Sequence, residues 1–195
     1  MTDTPQRPTE FYHGSKTEIR SDYLQPQRAF NSVQDKLCFG AFVTSDLDQA
    51  KFFAINSCIS GNGHSLQKDN RIYLERLSPH IQTHFHVYTV HETKENPFIH
   101  DRGSEYYSTK PIRITSARNF DTAKEIQQLG YEICVLDVPL KSKANLRSGN
   151  NFDVQAEMAK AVKEGKYHLV NIDEIIEKQS KNVFYRIFRN FLQND

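Results

Sequence analysis

Cysteine is scarce in this chain: Cys38, Cys58 and Cys134 are three among 195 residues. An odd number at wide spacing does not make a disulfide framework. The expected home is therefore a reducing cytoplasm, of the chain's own cell or, for a toxin or effector, of a target cell. Charge of one sign is also lacking, because Lys and Arg exceed Asp and Glu only by 25 to 24. Nothing in that balance demands a nucleic acid. No apolar run approaches the roughly 18 residues of a membrane span. Residues 1–10 are polar, hold two prolines and lack the apolar core of a secretion signal. They are expected to form a disordered tail. No Gly-x-Gly-x-x-Gly, phosphate loop, internal repeat or low-complexity segment is present.

What is present suits a globular chain. Hydrophobic residues make up 37% of it, enough to build a core. Phe11 to Ser15 reads as a strand that ends abruptly at Gly14-Ser15. Residues 19–38 are polar and read as a long loop. Phe39 to Thr44 reads as a second strand, and Ser45 or Asp46 can cap the helix that follows. Leu47, Ala50, Phe53 or Ala54, and Cys58 give that helix an apolar face, and Gly61-Asn62-Gly63 ends it. Strands are expected over 71–77, 85–90 and 105–114, with a loop over 94–103 and Pro111 at an edge or bulge. After Asn119 the texture shifts. A helix from Asp121 to Gly130, a strand over 131–138, a loop over 141–151 and a helix with the stripe Val154, Met158, Ala161 and Val162 are expected. A last strand at 169–172 and a helix capped by Asp173 complete the chain.

Two stretches carry the chemistry. The first is Phe11-Tyr12-His13-Gly14-Ser15-Lys16, and the second runs from Phe39-Gly40-Ala41-Phe42-Val43-Thr44 into Gln49-Ala50-Lys51-Phe52-Phe53-Ala54. A histidine at a strand edge can point ring nitrogens at a ligand, and the glycine beside it admits a ligand to the backbone amide. Together, and with Glu105-Tyr106-Tyr107 further on, they resemble the ADP-ribosyltransferase superfamily. The likeness is to its histidine–tyrosine–glutamate branch, which holds the poly(ADP-ribose) polymerases and the rifampin ADP-ribosyltransferases. It covers about residues 10–118.

The resemblance implies an α+β fold: a split β-sandwich of two small antiparallel sheets with flanking helices. Residues 11–118 would form this NAD-binding core, and 119–195 a C-terminal α/β extension packed on it. It also implies NAD as substrate and mono-ADP-ribosyl transfer to an acceptor of unspecified class: protein, nucleic acid or small molecule. His13 then corresponds to the anchor of the adenosine-side ribose, and Gly14 to the backbone pair for the nicotinamide amide. Phe42 stands where the family has a stacking tyrosine, and Phe53 near its second aromatic. Ser15 and Thr44 complete the cofactor-binding set. Glu105 corresponds to the catalytic acid on the nicotinamide ribose. Glu95 is the alternative suggested by the rifampin-modifying branch, and Glu157, in Gln155-Ala156-Glu157, the one suggested by the toxin-like branch. Lys16 and the 19–38 loop would border the acceptor.

The chemistry suits these residue types. Cleaving the nicotinamide–ribose bond builds positive charge on the sugar, as in glycoside hydrolysis. A fixed carboxylate stabilises that charge, and aromatic faces hold the flat ring. Phe for Tyr at 42 keeps the face and loses a hydroxyl. That departure favours an alternative, a degenerate module that binds NAD or ADP-ribose without turnover. An RNA 2′-phosphotransferase-like enzyme is a further alternative, although Arg71, Arg102 and Arg113 do not fall in its frame. His84 and His86 share a strand face, but no supporting Cys or carboxylate makes them a metal site. Phe184, Ile187, Phe188 and Phe191 mark a C-terminal amphipathic helix that packs on the core or meets a partner.

Overall fold

The computed structural model describes residues 7–31, 36–61, 63–138, 140 and 151–181. The expected loop at 141–151, save its last residue, and the amphipathic run at 184–191 lie outside them. The chain is α+β, with two sheets whose pairings are antiparallel except one. The larger sheet runs β2 (Tyr23–Leu24), β10 (Ile112–Asp121), β7 (His84–Val90), β1 (Phe11–Ser15), β4 (Lys36–Thr44), β9 (Glu105–Ser108), β8 (Ile99–Arg102), with β3 (Gln27–Asn31) also on β4. The smaller runs β12 (Tyr167–Val170), β11 (Glu132–Leu136), β6 (Arg71–Leu74), β5 (Ser65–Lys68).

Helix α1 (Leu47–Ser60) carries the main core. Asp46 caps it by accepting the amides of Asp48 and Gln49, which satisfies two donors that a helix start leaves open. Its Ala50, Ala54, Ile55, Cys58 and Ile59 are buried with Ile72 and Leu74 of β6, Phe85 and Val87 of β7, and Ile133 of β11. The helix thus packs against strands of both sheets. Each of the Ile, Leu, Phe and Val side chains among them contributes about 1.5–3 kcal/mol on burial. A second cluster, with Phe11, Val43, Val90 and Tyr106, involves alternate residues of the same strands in the larger sheet. A third joins Leu136 to Val154, Met158 and Ala161 of α3 (Asn151–Lys163).

Several expectations change. The 19–38 stretch contains β2 and β3 and the start of β4, because its polar side chains hide strands paired through the backbone. The 94–103 loop contains β8, which folds back on β9 across Gly103 at φ 50°. The single strand at 105–114 is two, β9 and β10. Proline at 111 offers no backbone donor, and Ser108 Oγ instead takes the Lys110 amide at the turn. Strand β5 went unread. Residues 7–10, expected to be tail, make defined contacts: the Arg7 guanidinium donates to Glu92 at 2.7 Å and to the Phe98 carbonyl at 2.6 Å.

Residues beyond 118 continue the same body. Strand β10 runs from Ile112 to Asp121, with a shift of register on β7 between Ile114 and Ser116. Asp121 then caps α2 (Thr122–Gln128). Strand β11 lies between β6 and β12, parallel to the former. A last helix spans 172–181, with Ile172 in the main cluster.

Candidate active site

Strands β1 and β4 pair at one position, Tyr12 with Thr44. Beyond it the ladder stops, and the His13 imidazole takes the place of a strand bond, its Nδ1 lying 2.8 Å from the Phe42 carbonyl. A carbonyl only accepts, so Nδ1 carries the proton and Nε2 presents a lone pair. Burial pulls the imidazole below its ordinary pKa, and the Phe42 carbonyl opposes this more weakly. The neutral ring is therefore the form to reason with.

A cavity of about 340 Å³ opens at this place, lined by Tyr12, His13, Gly14, Phe42, Val43, Thr44, Ala50, Phe53, Arg102 and Glu105. Its size falls within the usual range for small-molecule sites. Of the sequence-derived candidates, His13, Gly14, Phe42, Thr44, Phe53 and Glu105 meet here, though up to 92 residues separate them along the chain. Ser15 does not line the cavity; its hydroxyl donates to the Thr17 carbonyl. Nor do Glu95, on an exposed segment after β7, or Glu157, on α3.

Gly14 is needed for a reason the sequence did not reveal. A Cβ there would lie 1.9 Å from the Ala50 carbonyl oxygen. The glycine lets α1 approach β1, and so sets the depth of the cavity between them. Phe53 projects from α1 with 40% of its surface exposed. Phe42 on β4 is half-buried, its ring 5.7 Å from that of its cross-strand neighbour Tyr107. One aromatic thus comes from the helix and one from the sheet.

Glu105 is fixed by two donors. Gln49 Nε2 donates to Oε1 at 3.1 Å and Arg102 Nε to Oε2 at 3.2 Å. Arg102 and Glu105 face each other across the β8–β9 turn. Gln49 is itself held through Oε1, which accepts from Thr44 Oγ1 at 2.7 Å and from the Ser104 hydroxyl. Thr44 therefore supports the site from behind as well as lining it. Gln49 and Arg102 were missed. Asp46-x-x-Gln49 has the spacing of a capping box, in which the glutamine turns back on the cap amide. Here Thr44 Oγ1 takes that amide instead, which leaves Gln49 for Glu105.

The arrangement offers a neutral acceptor (His13 Nε2), two aromatic faces and one oriented carboxylate with a guanidinium beside it. Of the three arginines weighed for phosphate binding, only Arg102 lines this cavity. Among the described residues no group of three or more His, Cys, Asp or Glu is placed to hold a metal. Cys58 and Cys134 are buried free thiols. No helix among the described residues is long and apolar enough to cross a membrane. Comparison with protein-family models, curated proteins and solved structures found no match.

Proposed function

We propose that this chain is an NAD-dependent mono-ADP-ribosyltransferase with an ADP-ribosyltransferase-like split β-sandwich core. The observation that carries the reading is that His13, Gly14, Phe42, Phe53 and Glu105, singled out in the sequence, line one cavity. His13 Nε2 accepts from a ribose hydroxyl on the adenosine side. Phe42 and Phe53 hold the nicotinamide ring, and the main chain at Gly14 meets its amide. The C1′–N bond breaks with its electron pair leaving on nicotinamide, which discharges the pyridinium. Glu105 faces the ribosyl cation and stabilises the charge that grows there. An acceptor nucleophile then bonds to C1′ and loses its proton to solvent. A cytoplasm supplies the NAD.

Two observations favour the second reading, a module that binds NAD or ADP-ribose without turnover. Arg102 already neutralises Glu105, and Phe42 lacks the hydroxyl of the family's tyrosine. The two readings separate in one experiment. The chain is incubated with NAD labelled in the nicotinamide and, separately, in the adenosine, with and without cell lysate. Free nicotinamide with transfer of the adenosine label supports the transferase. Measurable binding without either selects the module.

A further inference from the structure

A second large cavity, of about 460 Å³, lies at the C-terminal end of α1. Its charged lining has one sign: Lys16 and Arg76 contribute, and no Asp or Glu does. Hydroxyls of Ser57, Ser60 and Ser78 and the amide of Gln82 complete the polar surface. Ser60 and Ser78 donate to the Asn56 and His80 carbonyls, and Ser78 Oγ also accepts the His80 amide, so Ser57 and Gln82 are the polar groups left for a ligand.

Structural duties do not account for the cations. Among the described residues neither Lys16 nor Arg76 makes an ion pair, whereas Arg7, Lys51, Arg71 and Arg102 each do. They are not needed to cap α1 either. Its last carbonyls, on Cys58, Ile59 and Ser60, accept the backbone amides of Gln82, Ser78 and Gly63. The negative pole of the helix opposes an anion here, but it amounts to about half a charge. Two full cations outweigh it. Two positive groups facing one concavity repel each other until an anion lies between them, and a phosphate oxygen offers both of them acceptors.

The cavity is a place to bind rather than react. Burial pushes the Cys58 thiol up to about 11, and the Lys16 ammonium lowers it by less. At neutral pH that sulfur stays protonated and is a poor nucleophile. The lining also lacks Phe, Tyr and Trp, the large aromatic faces on which bases stack. That removes the grip a nucleic acid strand would want and leaves a polar, sugar-compatible surface.

We propose that this second cavity binds a small phosphorylated molecule of the sugar-phosphate class, with Lys16 and Arg76 clasping the phosphate and Ser57 and Gln82 facing the hydroxyls. The inference does not rest on the reading of the first cavity. The two are neighbours along α1, since Ser57 follows Phe53 by one turn, about 6 Å.

The test uses the full chain, nitrogen-15 labelled, at low salt, titrated separately with inorganic pyrophosphate, ribose 5-phosphate and ribose. Amide signals of Ser57, Gly61, Ser78 and Gln82 are expected to move with the two phosphates and stay still with ribose. Lys16→Ala and Arg76→Ala should each weaken binding about tenfold, as loss of one charge-assisted contact implies. The double variant should show almost none, with its other signals unchanged. No movement at these amides overturns the proposal. So does movement with ribose alone, movement with pyrophosphate but not ribose 5-phosphate, or an unchanged affinity in the double variant. Signals of His13, Phe42, Phe53 and Glu105 report on the first cavity separately, so failure here leaves that reading standing.

Discussion

Gln49 Nε2 donates to Glu105 Oε1 at 3.1 Å, and the direction of that bond is not free to reverse. The carboxylate only accepts, and Gln49 Oε1 is already occupied by the hydroxyls of Thr44 and Ser104. Two buried or half-buried hydroxyls thus orient an amide, and the amide orients an acid. Replacing Gln49 with Ala leaves Thr44, a 2% exposed residue, with only the Ser104 hydroxyl at 3.1 Å to donate to. The expected loss is about 1 kcal/mol in denaturant unfolding. Gln49→Glu sets a second carboxylate against Glu105 and should slow nicotinamide release with little change in NAD affinity. Equal rates in Gln49→Glu and wild type would remove Gln49 from the positioning role.

Gly14→Ala should be among the most damaging single substitutions. Its Cβ meets the Ala50 carbonyl of the backbone, not a flexible side chain, so α1 must shift. A cost of about 3 kcal/mol, the high end for overpacking, is expected, measured by chemical denaturation without any ligand. A variant as stable as wild type would mean that β1 and α1 are not in this contact.

His13 gives a pH signature. Its ordinary value is 6.5 and burial lowers it in the folded chain. Above 6.5 the ring is neutral whether the chain is folded or not, and contributes no pH dependence. As the pH falls below 6.5, the unfolded chain takes up a proton that the folded chain resists, so stability falls. His13→Gln keeps a donor for the Phe42 carbonyl and removes the titration. Its unfolding free energy should fall less steeply on the acid side of 6.5, and parallel acid limbs would contradict the burial of this ring.

The two aromatics separate binding from folding. Phe53 keeps 40% of its surface exposed, so Phe53→Ala should lose less stability than a core Phe→Ala yet bind NAD about tenfold more weakly. Phe42→Tyr should preserve or raise turnover, because the face is kept and a hydroxyl is restored. A large fall would mean that the Phe42 ring does not lie against the nicotinamide.

The helix around Ala50–Cys58 was legible because its cap, its apolar spacing and its glycine stop agree. Strand β1 was legible from its aromatics and its Gly14-Ser15 end, and β7 from alternation: Phe85 and Val87 are buried, while His84 and His86 are more open. Strands β2, β3, β5 and β8 were not, because Gln27-Arg28, Gln67-Lys68 and His100-Asp101-Arg102 offer no apolar period and are held by neighbours distant in sequence. The site divides the same way. His13, Phe42 and Glu105 sit in recognisable local frames. Arg102 became visible only when the turn at Gly103 brought it opposite Glu105. Gln49 was masked by a spacing that normally means self-capping.

The central claim is that Glu105 stabilises the ribosyl cation of NAD bound in the first cavity. The most direct test compares nicotinamide release by wild type and Glu105→Gln, with NAD affinity measured on the same samples. The account predicts release by wild type, a fall of about 10²–10³ in the variant, and an affinity changed by no more than a few-fold. Near-normal release by Glu105→Gln at unchanged affinity, or no release by wild type with or without lysate, would contradict it.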